Sequence, residues 1–320
     1  MPIGLRRSHL LAGMGTAALA AALPRPVRAQ TPATLRVAYI PTENCATAYY
    51  AQELGLFAKA GIDVALEPIN FSGAIASAVL AGSIDIGNSS TLTMTVAHHK
   101  GLPLVFVAPG NAFRLRKTPE SGIVVGASST IRTAADLNGK TFGCAGLGSF
   151  GEFIPRAWVD ANGGDSSTMK FAEFPNAELG TAVTTGRAAA AFISPPAFSK
   201  ALGDGCRMLA VASDAVAKEF MGSGWFATTE WAKAHPAAVT AFAGALHDAT
   251  AWVNANPDKG VDILVRYLKL DRAVLTASER VIFCERLTPG LLQPPINVVA
   301  RYSKFPAFPA QDLIFVAPPR

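Results

Sequence analysis

Residues 35–66 read LRVAYIPTENCATAYYAQELGLFAKAGIDVAL, and this stretch decides the fold class. An apolar run at 35–40 predicts a buried strand, which Pro41 and the polar residues after it end. Apolar positions at helical spacing over 46–59, followed by a glycine, predict a helix, and 62–66 alternates as a second strand. Strand, helix and strand at this spacing form a βαβ unit, which is typical of a mostly parallel sheet.

The same alternation occurs twice along the chain. Predicted helices and strands alternate up to residue 108 and again over 122–212. Residues 78–86 and 182–190 also resemble one another, each with a helix end, a glycine and a strand, which indicates two similar lobes. In the last third helical signals dominate, and one predicted helix covers 271–284.

The composition indicates a folded protein with little net charge. The chain has 320 residues, of which 50% are hydrophobic and 16% are charged, so it supports a large core and more than one domain. Its formal charge is +5, but the first thirty residues hold four arginines and no acid. Without those four, 24 of the 28 basic residues remain against 23 acidic ones. Neither a nucleic-acid surface nor an acidic tail is indicated.

The N-terminus has the order of an export signal. Arg6-Arg7 precedes an apolar stretch over 10–23, and Val27-Arg28-Ala29 places small residues where signal peptidase requires them. The apolar stretch is shorter than the roughly 20 residues of a membrane-spanning helix. We therefore expect residues 1–29 to be a cleaved signal peptide and the mature protein to be periplasmic. The arginine pair and its surroundings resemble a twin-arginine signal, and both Tat and Sec export are compatible with them.

Polar turns follow the predicted strands in both halves of the chain. In an open parallel sheet, ligands bind beyond the carboxyl ends of the strands, where helix N-termini offer free N–H groups. Serine, threonine and asparagine are also ordinary helix caps, which is the competing interpretation of each turn. Because the turns occupy equivalent positions, we predict that they form one ligand site. The predicted site residues are Thr42, Asn44, Thr47, Ser72, Gly73, Asn88, Ser89, Ser90, Arg114, Gly148, Ser149, Phe150, Ser194 and Pro195.

Residues 146–151 read Gly-Leu-Gly-Ser-Phe-Gly, which matches a dinucleotide fingerprint between a strand and a helix. Glu173 lies where that motif would place a ribose-binding acid. An exported protein is separated from the cytoplasmic nicotinamide pool, which favours a simpler interpretation. The glycines let the backbone approach some other ligand.

No catalytic, cofactor or metal site is predicted. His98-His99 are adjacent, so on a helix their side chains point about 100° apart and do not share one ion easily. Neither a Gly-x-Ser-x-Gly motif nor a Ser–His–acid set is found. The cysteines form no CxxC pair, and free buried thiols are favoured over disulfides for most of them. They are Cys45, Cys144, Cys206 and Cys284.

Four stretches carry motifs of one protein family. Residues 49–64 have a helix followed by Gly-x-Phe and Gly-Ile-Asp-Val, 80–86 read Leu-x-Gly-x-Ile-Asp-Ile, 100–104 hold Lys-Gly-x-Pro, and 135–141 hold Asp-Leu-x-Gly-Lys. Together they resemble the nitrate/sulfonate/taurine-type and thiamine-pyrimidine-type periplasmic binding proteins of ABC importers. Ser194-Pro195 stands where many members have Glu-Pro, so the ligand carboxylate of those members is missing.

The resemblance implies a class II periplasmic-binding-protein fold with two lobes, each a mostly parallel sheet flanked by helices, and a two-strand hinge. Lobe one would combine 31–122 with 222–320, and lobe two would be 123–221. The implied function is that of a monomer without cofactor that captures a small polar or anionic molecule and delivers it to an ABC permease. The implied ligand classes are sulfonate, nitrate, carboxylate and pyrimidine.

Two alternatives accompany this interpretation. A periplasmic ligand sensor would pass the closed lobes to a receptor instead of a permease. A pyrimidine-synthesis-type enzyme on the same fold would need an active-site histidine, and none lies in the predicted turns.

Overall fold

Two five-stranded sheets and one three-stranded sheet, flanked by helices, form the fold in a computed structural model of the chain. The predicted signal peptide, residues 1–29, lies outside the described residues. No helix within the described ranges is both long and apolar enough to cross a membrane. The structure describes residues 34–316 apart from 71, 117, 118, 196 and 304.

The strands and helices alternate through the first two thirds of the chain, and helices dominate the rest. The strands are β1 (Leu35–Tyr39), β2 (Val64–Pro68), β3 (Ile86–Ser90), β4 (Leu104–Pro109), β5 (Asn111–Arg114), β6 (Gly122–Gly126), β7 (Thr141–Cys144), β8 (Lys170–Glu173), β9 (Ala190–Ile193), β10 (Cys206–Ala210), β11 (Glu219–Met221), β12 (Ser223–Thr228) and β13 (Ile282–Phe283). The helices are α1 (Ala46–Glu53), α2 (Leu56–Lys59), α3 (Ser72–Leu80), α4 (Thr91–His99), α5 (Phe150–Ala161), α6 (Leu179–Thr184), α7 (Ala197–Gly203), α8 (Thr229–Ala234), α9 (Pro236–Ala255), α10 (Val261–Leu268), α11 (Arg272–Ala277) and α12 (Pro289–Tyr302).

Both five-stranded sheets are mostly parallel, as predicted. The first has the order β2-β1-β3-β12-β4, in which β12 alone runs against its neighbours. The second has the order β10-β6-β9-β7-β8, in which β6 alone runs against its neighbours. Because β12 comes after the whole second sheet in the chain, the first sheet is built from two separate segments.

The three-stranded sheet was not predicted. Its order is β11-β5-β13, and β5 pairs antiparallel with both neighbours. The segment β5 leads from the first sheet to the second, and β11 leads back. The helix predicted over 271–284 is wrong beyond Ala277, because the N–H of Val281 donates to the buried carboxylate of Glu43 and the chain continues as β13. A contact with a distant residue therefore overrides the local helical pattern.

The helix predicted over 46–59 is interrupted. Gly55 has φ of +66°, a conformation that side chains with a Cβ rarely adopt, and it separates α1 from α2. The rest of the βαβ unit is confirmed.

Apolar side chains cover both faces of each five-stranded sheet. Trp225 lies on the face of the first sheet that packs against α1 and α9, where it meets Phe242 of α9, and Phe106 lies on the other face. A smaller cluster joins α4, α5 and α12 through Leu92, Phe153, Val298 and Val299. The cluster thus connects α4, which follows β3 of the first sheet, with α5, which follows β7 of the second sheet.

Candidate functional site

The first predicted turn follows β1 and leads into α1. Thr42 has an extended backbone, and its carbonyl oxygen accepts a hydrogen bond from the Tyr49 hydroxyl at 3.3 Å. Thr47 is fully buried, and its hydroxyl accepts from Nε1 of Trp225 at 3.4 Å. Asn44 is half-buried in the same turn. Thr47 is therefore committed to the core, while Thr42 and Asn44 stay partly accessible.

The residues predicted as a turn at 88–90 form the end of a strand. Residues 88–90 belong to β3 because they pair with β12, and α4 begins only at Thr91. The hydroxyl of Ser90 accepts a hydrogen bond from the N–H of Thr93 at 3.1 Å. The capping interpretation therefore holds for Ser90.

Three buried polar groups at this end of the first sheet have no hydrogen-bond partner among the described residues. They are Asn88 Nδ2, Ser89 Oγ and Ser223 Oγ, in residues that are 3%, 1% and 6% exposed. Leaving a buried donor or acceptor without a partner costs about 1–3 kcal/mol. Such groups mark a position that a ligand or an ordered water satisfies.

Strand pairing shows which of these groups face the same way. In the antiparallel pair of β3 and β12, Ser223 lies opposite Ser90 and Trp225 lies opposite Asn88, so all four side chains share one face. Ser89 alternates with them and faces the other side. Asn88, Ser90 and Ser223 thus form a polar edge, which continues into the buried Trp225. We call these three residues the polar edge below.

Ser223 is absent from the predicted site because it begins a strand and does not follow one. Its sequence signal is the pair of glycines around it. A Cβ on Gly222 would lie 2.7 Å from Asn111 Nδ2, and a Cβ on Gly224 would lie 2.8 Å from the ring of Phe106. These glycines allow the close approach of neighbouring strands that positions Ser223.

The residues predicted after β2 open α3. Ser72 and Gly73 form the first turn of this helix, and the carbonyl oxygen of Gly73 accepts from the Ser77 hydroxyl at 2.9 Å. A Cβ on Gly73 would meet no other atom within 4 Å, so open space lies beside the turn.

The glycine-rich loop before α5 is occupied by side chains of the chain itself. The N–H of Leu147 donates to Glu173 Oε1 at 2.7 Å, and the N–H of Gly148 donates to Glu152 Oε2 at 2.9 Å. Ser149 caps α5 by accepting from the N–H of Gly151 at 3.1 Å. Glu173 is bound to the loop itself, whereas a dinucleotide fingerprint would turn this acid to a ribose. The loop does not favour a dinucleotide.

Phe150 packs α5 against the three-stranded sheet. Its ring packs against Phe113 of β5 at 5.2 Å and Phe220 of β11 at 5.9 Å, measured between ring centroids. One turn further on, Phe153 shares an apolar cluster with Leu92 in the first turn of α4. The N-terminal turns of α4 and α5 therefore border the same apolar cluster, to which α12 also contributes, with the polar edge next to one turn and the glycine-rich loop next to the other.

The remaining predicted residues have partners within the chain. Arg114 is exposed and forms an ion pair with Glu219 at 2.6 Å across β5 and β11, and this hydrogen bond raises the pKa of Arg114. The N–H and the carbonyl oxygen of Ser194 both bond to the side-chain amide of Asn176 at 3.3 Å. Pro195 follows half-buried. Asn176, which the sequence analysis does not include, thus holds the turn after β9.

A network of buried charges lies behind the first turn, where a cavity of about 420 Å³ opens. Arg280 lies 3.5 Å from the carboxylate of Glu43, and Arg116 forms an ion pair with Glu120. Burial raises the pKa of Glu43, against the attraction of Arg280. Burial likewise raises the pKa of Glu120 to about 7, although Arg116 opposes it. The carboxylate of Glu43 is therefore held by Arg280 and the N–H of Val281 within this network.

The raised pKa of Glu120 predicts that the stability of the protein depends on pH. The Glu120 carboxyl is easier to ionise in the unfolded chain, at an ordinary pKa of 4.5, than in the folded protein, at about 7. The contribution of the protonated Glu120 carboxyl to the free energy of unfolding is therefore fully present below pH 4.5 and is lost as the pH rises through 7. We expect Glu120→Gln to gain about 1–3 kcal/mol relative to the unchanged protein between these limits. Urea unfolding at a series of pH values measures this difference, and a difference that is constant with pH would contradict the assignment.

Two adjacent histidines stack on aromatic rings, and the cysteines are buried. His98 stacks on Phe308 at 4.0 Å and His99 on Phe305 at 4.6 Å. Burial lowers the pKa of His99. All four cysteines are buried and free. Within the described ranges, no group of three or more His, Cys, Asp or Glu residues is placed to hold a metal ion.

Structures of known proteins share this fold at low sequence identity. The periplasmic aliphatic sulphonate binding protein SsuA from Escherichia coli superimposes with a TM-score of 0.72 at 19% identity, covering 90% of this chain and 93% of that one. The alkanesulfonate-binding protein SsuA from Xanthomonas axonopodis pv. citri, bound to MOPS, gives 0.71 at 20% identity, covering 90% and 99%. The periplasmic nitrate-binding protein NrtA from Synechocystis PCC 6803 gives 0.68 at 17% identity, covering 88% and 84%.

Sequence comparison gives the family. No curated protein matches the chain. The family model described as NMT1/THI5 like matches residues 42–260, which include the polar edge, the glycine-rich loop, all of predicted lobe two and part of predicted lobe one. The chain therefore belongs to the NMT1/THI5-like family and has the fold of the substrate-binding proteins of ABC importers.

Proposed function

We propose that the chain is an exported solute-binding protein that captures a small polar molecule and delivers it to an ABC permease. The observation that carries the proposal is the polar edge. Asn88 and Ser223 are buried and have polar atoms without partners among the described residues. They lie beside the carboxyl end of β3, where ligands bind in sheets of this kind. Family membership and the fold support the same function.

We further propose that the two five-stranded sheets are the cores of two lobes, residues 31–122 with 222–320 and residues 123–221. The antiparallel pair of β5 and β11 would serve as the two-strand hinge. Closure of the lobes around the solute would bury it and create the form that the permease recognises. The cluster of Leu92 and Phe153 would then be a contact between the lobes.

Binding without turnover is the simplest function for these groups. The polar edge consists of one amide and two hydroxyls, and Ser90 is already used as a helix cap. The hydroxyl of Ser223 has no base bonded to it among the described residues. These groups orient a solute by hydrogen bonds, which needs no covalent step.

A ligand screen tests the proposal. The mature chain would be examined by thermal shift and then calorimetry against small cations, anions and neutral molecules of the sulfonate, nitrate, carboxylate, amine and pyrimidine classes. We expect at least one compound to bind without being consumed, more tightly than about millimolar, which corresponds to −4 kcal/mol. If every class fails to bind at that level, or if a compound is turned over, the transport function is contradicted.

Asn88→Ala is expected to weaken ligand binding while leaving the fold intact. Its Nδ2 makes no hydrogen bond within the described chain, so truncation removes little native stabilisation. A bound solute would lose one buried hydrogen bond, worth about 1–2 kcal/mol or roughly tenfold in Kd. Asn162→Ala, at the exposed end of α5, is the control and should leave Kd unchanged. Equal Kd values for both variants and the unchanged protein would remove Asn88 from the site.

A further inference from the structure

The turns around the proposed site contain no basic residue. Ligands bind beyond the carboxyl ends of parallel strands, which are β1, β2, β3 and β4 in the first sheet and β7, β8, β9 and β10 in the second. Residue 110 after β4 and residues 211–215 after β10 include no basic residue, and Arg114 further along β5 is paired with Glu219. A bound anion would therefore find no lysine, arginine or histidine in these turns to balance its charge. The residues concerned are 41–47, 69–73, 88–91, 145–151, 174–178 and 194–197.

In the glycine-rich loop, two backbone donors that could replace a basic residue are already used. The N–H groups of Leu147 and Gly148 bond to carboxylates of Glu173 and Glu152, at 2.7 and 2.9 Å. An anion at this helix N-terminus would have to displace both carboxylates and then lie next to them. Like charges at such distances repel, so the loop disfavours sulfonate, nitrate and carboxylate groups.

The two acids differ in their charge balance. Glu152 is neutralised by Arg156, whose Nη2 lies 2.8 Å from its Oε1. Glu173, at the end of β8, forms no ion pair with any described residue and is exposed. Its Oε1 accepts from Leu147, and a carboxylate has a second oxygen that can accept further donors. Glu173 therefore brings an uncompensated negative charge to the loop.

We propose that the captured solute carries a protonated amine or amidine group that Glu173 receives, together with a hydrogen-bond acceptor that meets Asn88 Nδ2. Leu92, in the first turn of α4, and Phe153, in the first turn of α5, belong to one apolar cluster with Val298 and Val299 of α12, so the two helix N-termini border the same cluster. The solute would span these two helix N-termini, with its cationic end at the second sheet. This inference rests on the proposed binding function and narrows it to one ligand class.

Matched probes separate charge from shape. Benzamidine, benzamide and benzenesulfonate share a ring and carry a cationic, a neutral and an anionic head group. The pair 3-hydroxypropylamine and 3-hydroxypropanesulfonate repeats the comparison on a flexible chain. Calorimetry on the mature protein should give tighter binding for the amidine and the amine than for their neutral and anionic counterparts.

Glu173→Gln tests the residue itself. Glutamine retains an oxygen for the Leu147 N–H but removes the charge, so the fold and the thermal unfolding temperature should stay unchanged. We expect the affinity for the cationic probes to fall by about tenfold or more, as for loss of a charged hydrogen bond, while sulfonate binding does not weaken. Glu230→Gln, an exposed acid at the start of α8, is the control for net charge and should change nothing.

The outcomes distinguish this inference from the function on which it rests. Tighter binding of the sulfonates overturns the ligand class, and cation binding that Glu173→Gln leaves unchanged overturns the assignment of Glu173 as its partner; either result leaves solute binding intact. If the wider screen finds no ligand of any charge, the proposed function fails and the inference fails with it.

Discussion

Trp225→Ala is expected to lower the free energy of unfolding by about 3–5 kcal/mol, the cost of truncating a large buried ring. The indole is completely buried, packs against Phe242 at 5.7 Å between ring centroids, and donates to Thr47. Because Trp225 lies opposite Asn88, the cavity would also loosen the polar edge. Ligand affinity should therefore fall together with stability.

Trp231→Ala is the matched control for this change. Trp231 is partly exposed in α8 and stacks on His235 at 4.7 Å, so its truncation removes less packing. Urea unfolding of the two variants gives both free energies. A loss for Trp225→Ala no larger than that for Trp231→Ala would contradict the described core.

Gly110→Ala is the second change with a large expected effect. A Cβ at this position would lie 2.6 Å from the carbonyl oxygen of Ser223 and 2.7 Å from its hydroxyl. The first of these is a backbone atom, and the N–H of Gly110 also bonds to it at 2.9 Å, so the strands must move apart. We expect a loss of about 1–3 kcal/mol, typical of overpacking, and weaker binding because Ser223 shifts.

Gly244→Ala is the matched control for Gly110→Ala, and it is expected to stabilise the protein. Gly244 lies inside α9, and a Cβ there would meet nothing within 4 Å. Alanine should stabilise the helix by about 0.5–1 kcal/mol. Thermal unfolding that ranks the two variants in the reverse order would be incompatible with the close approach of residue 110 to β12.

Local periodicity was sufficient for the parallel parts of the fold. Strand β1, helix α1 and strand β2 follow from residues 35–66, because each element shows its own hydrophobic spacing within a few residues. The three-stranded sheet could not be predicted in this way. Its strands have only two to four residues, and they form through pairing between segments more than 100 residues apart. Strands of this length have too few residues to show an alternation of apolar and polar side chains.

The site was predictable in outline only. Asn88 and Ser90 are among the predicted site residues because they follow an apolar run, although main-chain pairing with β12 makes them part of the strand β3. Ser223 was missed because it precedes its strand. The use of the loop N–H groups by Glu152 and Glu173 also escapes the sequence, since the second acid lies 26 residues away from its partner. Distances of this kind are determined by sheet order, which spacing alone does not reveal.

The structure also changes what the ligand is expected to be. The sequence favours a polar or anionic solute of the kinds named for the family. At the second sheet the carboxylate of Glu173 accepts a hydrogen bond from Leu147 but has no ion-pair partner among the described residues, and the turns discussed above hold no basic residue. Both observations support the cationic group proposed above. The related sulphonate- and nitrate-binding structures share less than 25% identity with this chain, so their ligands do not transfer.

A crystal structure of the mature chain with its tightest ligand tests the central claim most directly. We expect a ligand between the two five-stranded sheets, accepting a hydrogen bond from Asn88 Nδ2 and contacting Ser223 Oγ. A ligand bound instead in the cavity beside Glu43 and Arg280, with the polar edge unoccupied, would contradict it.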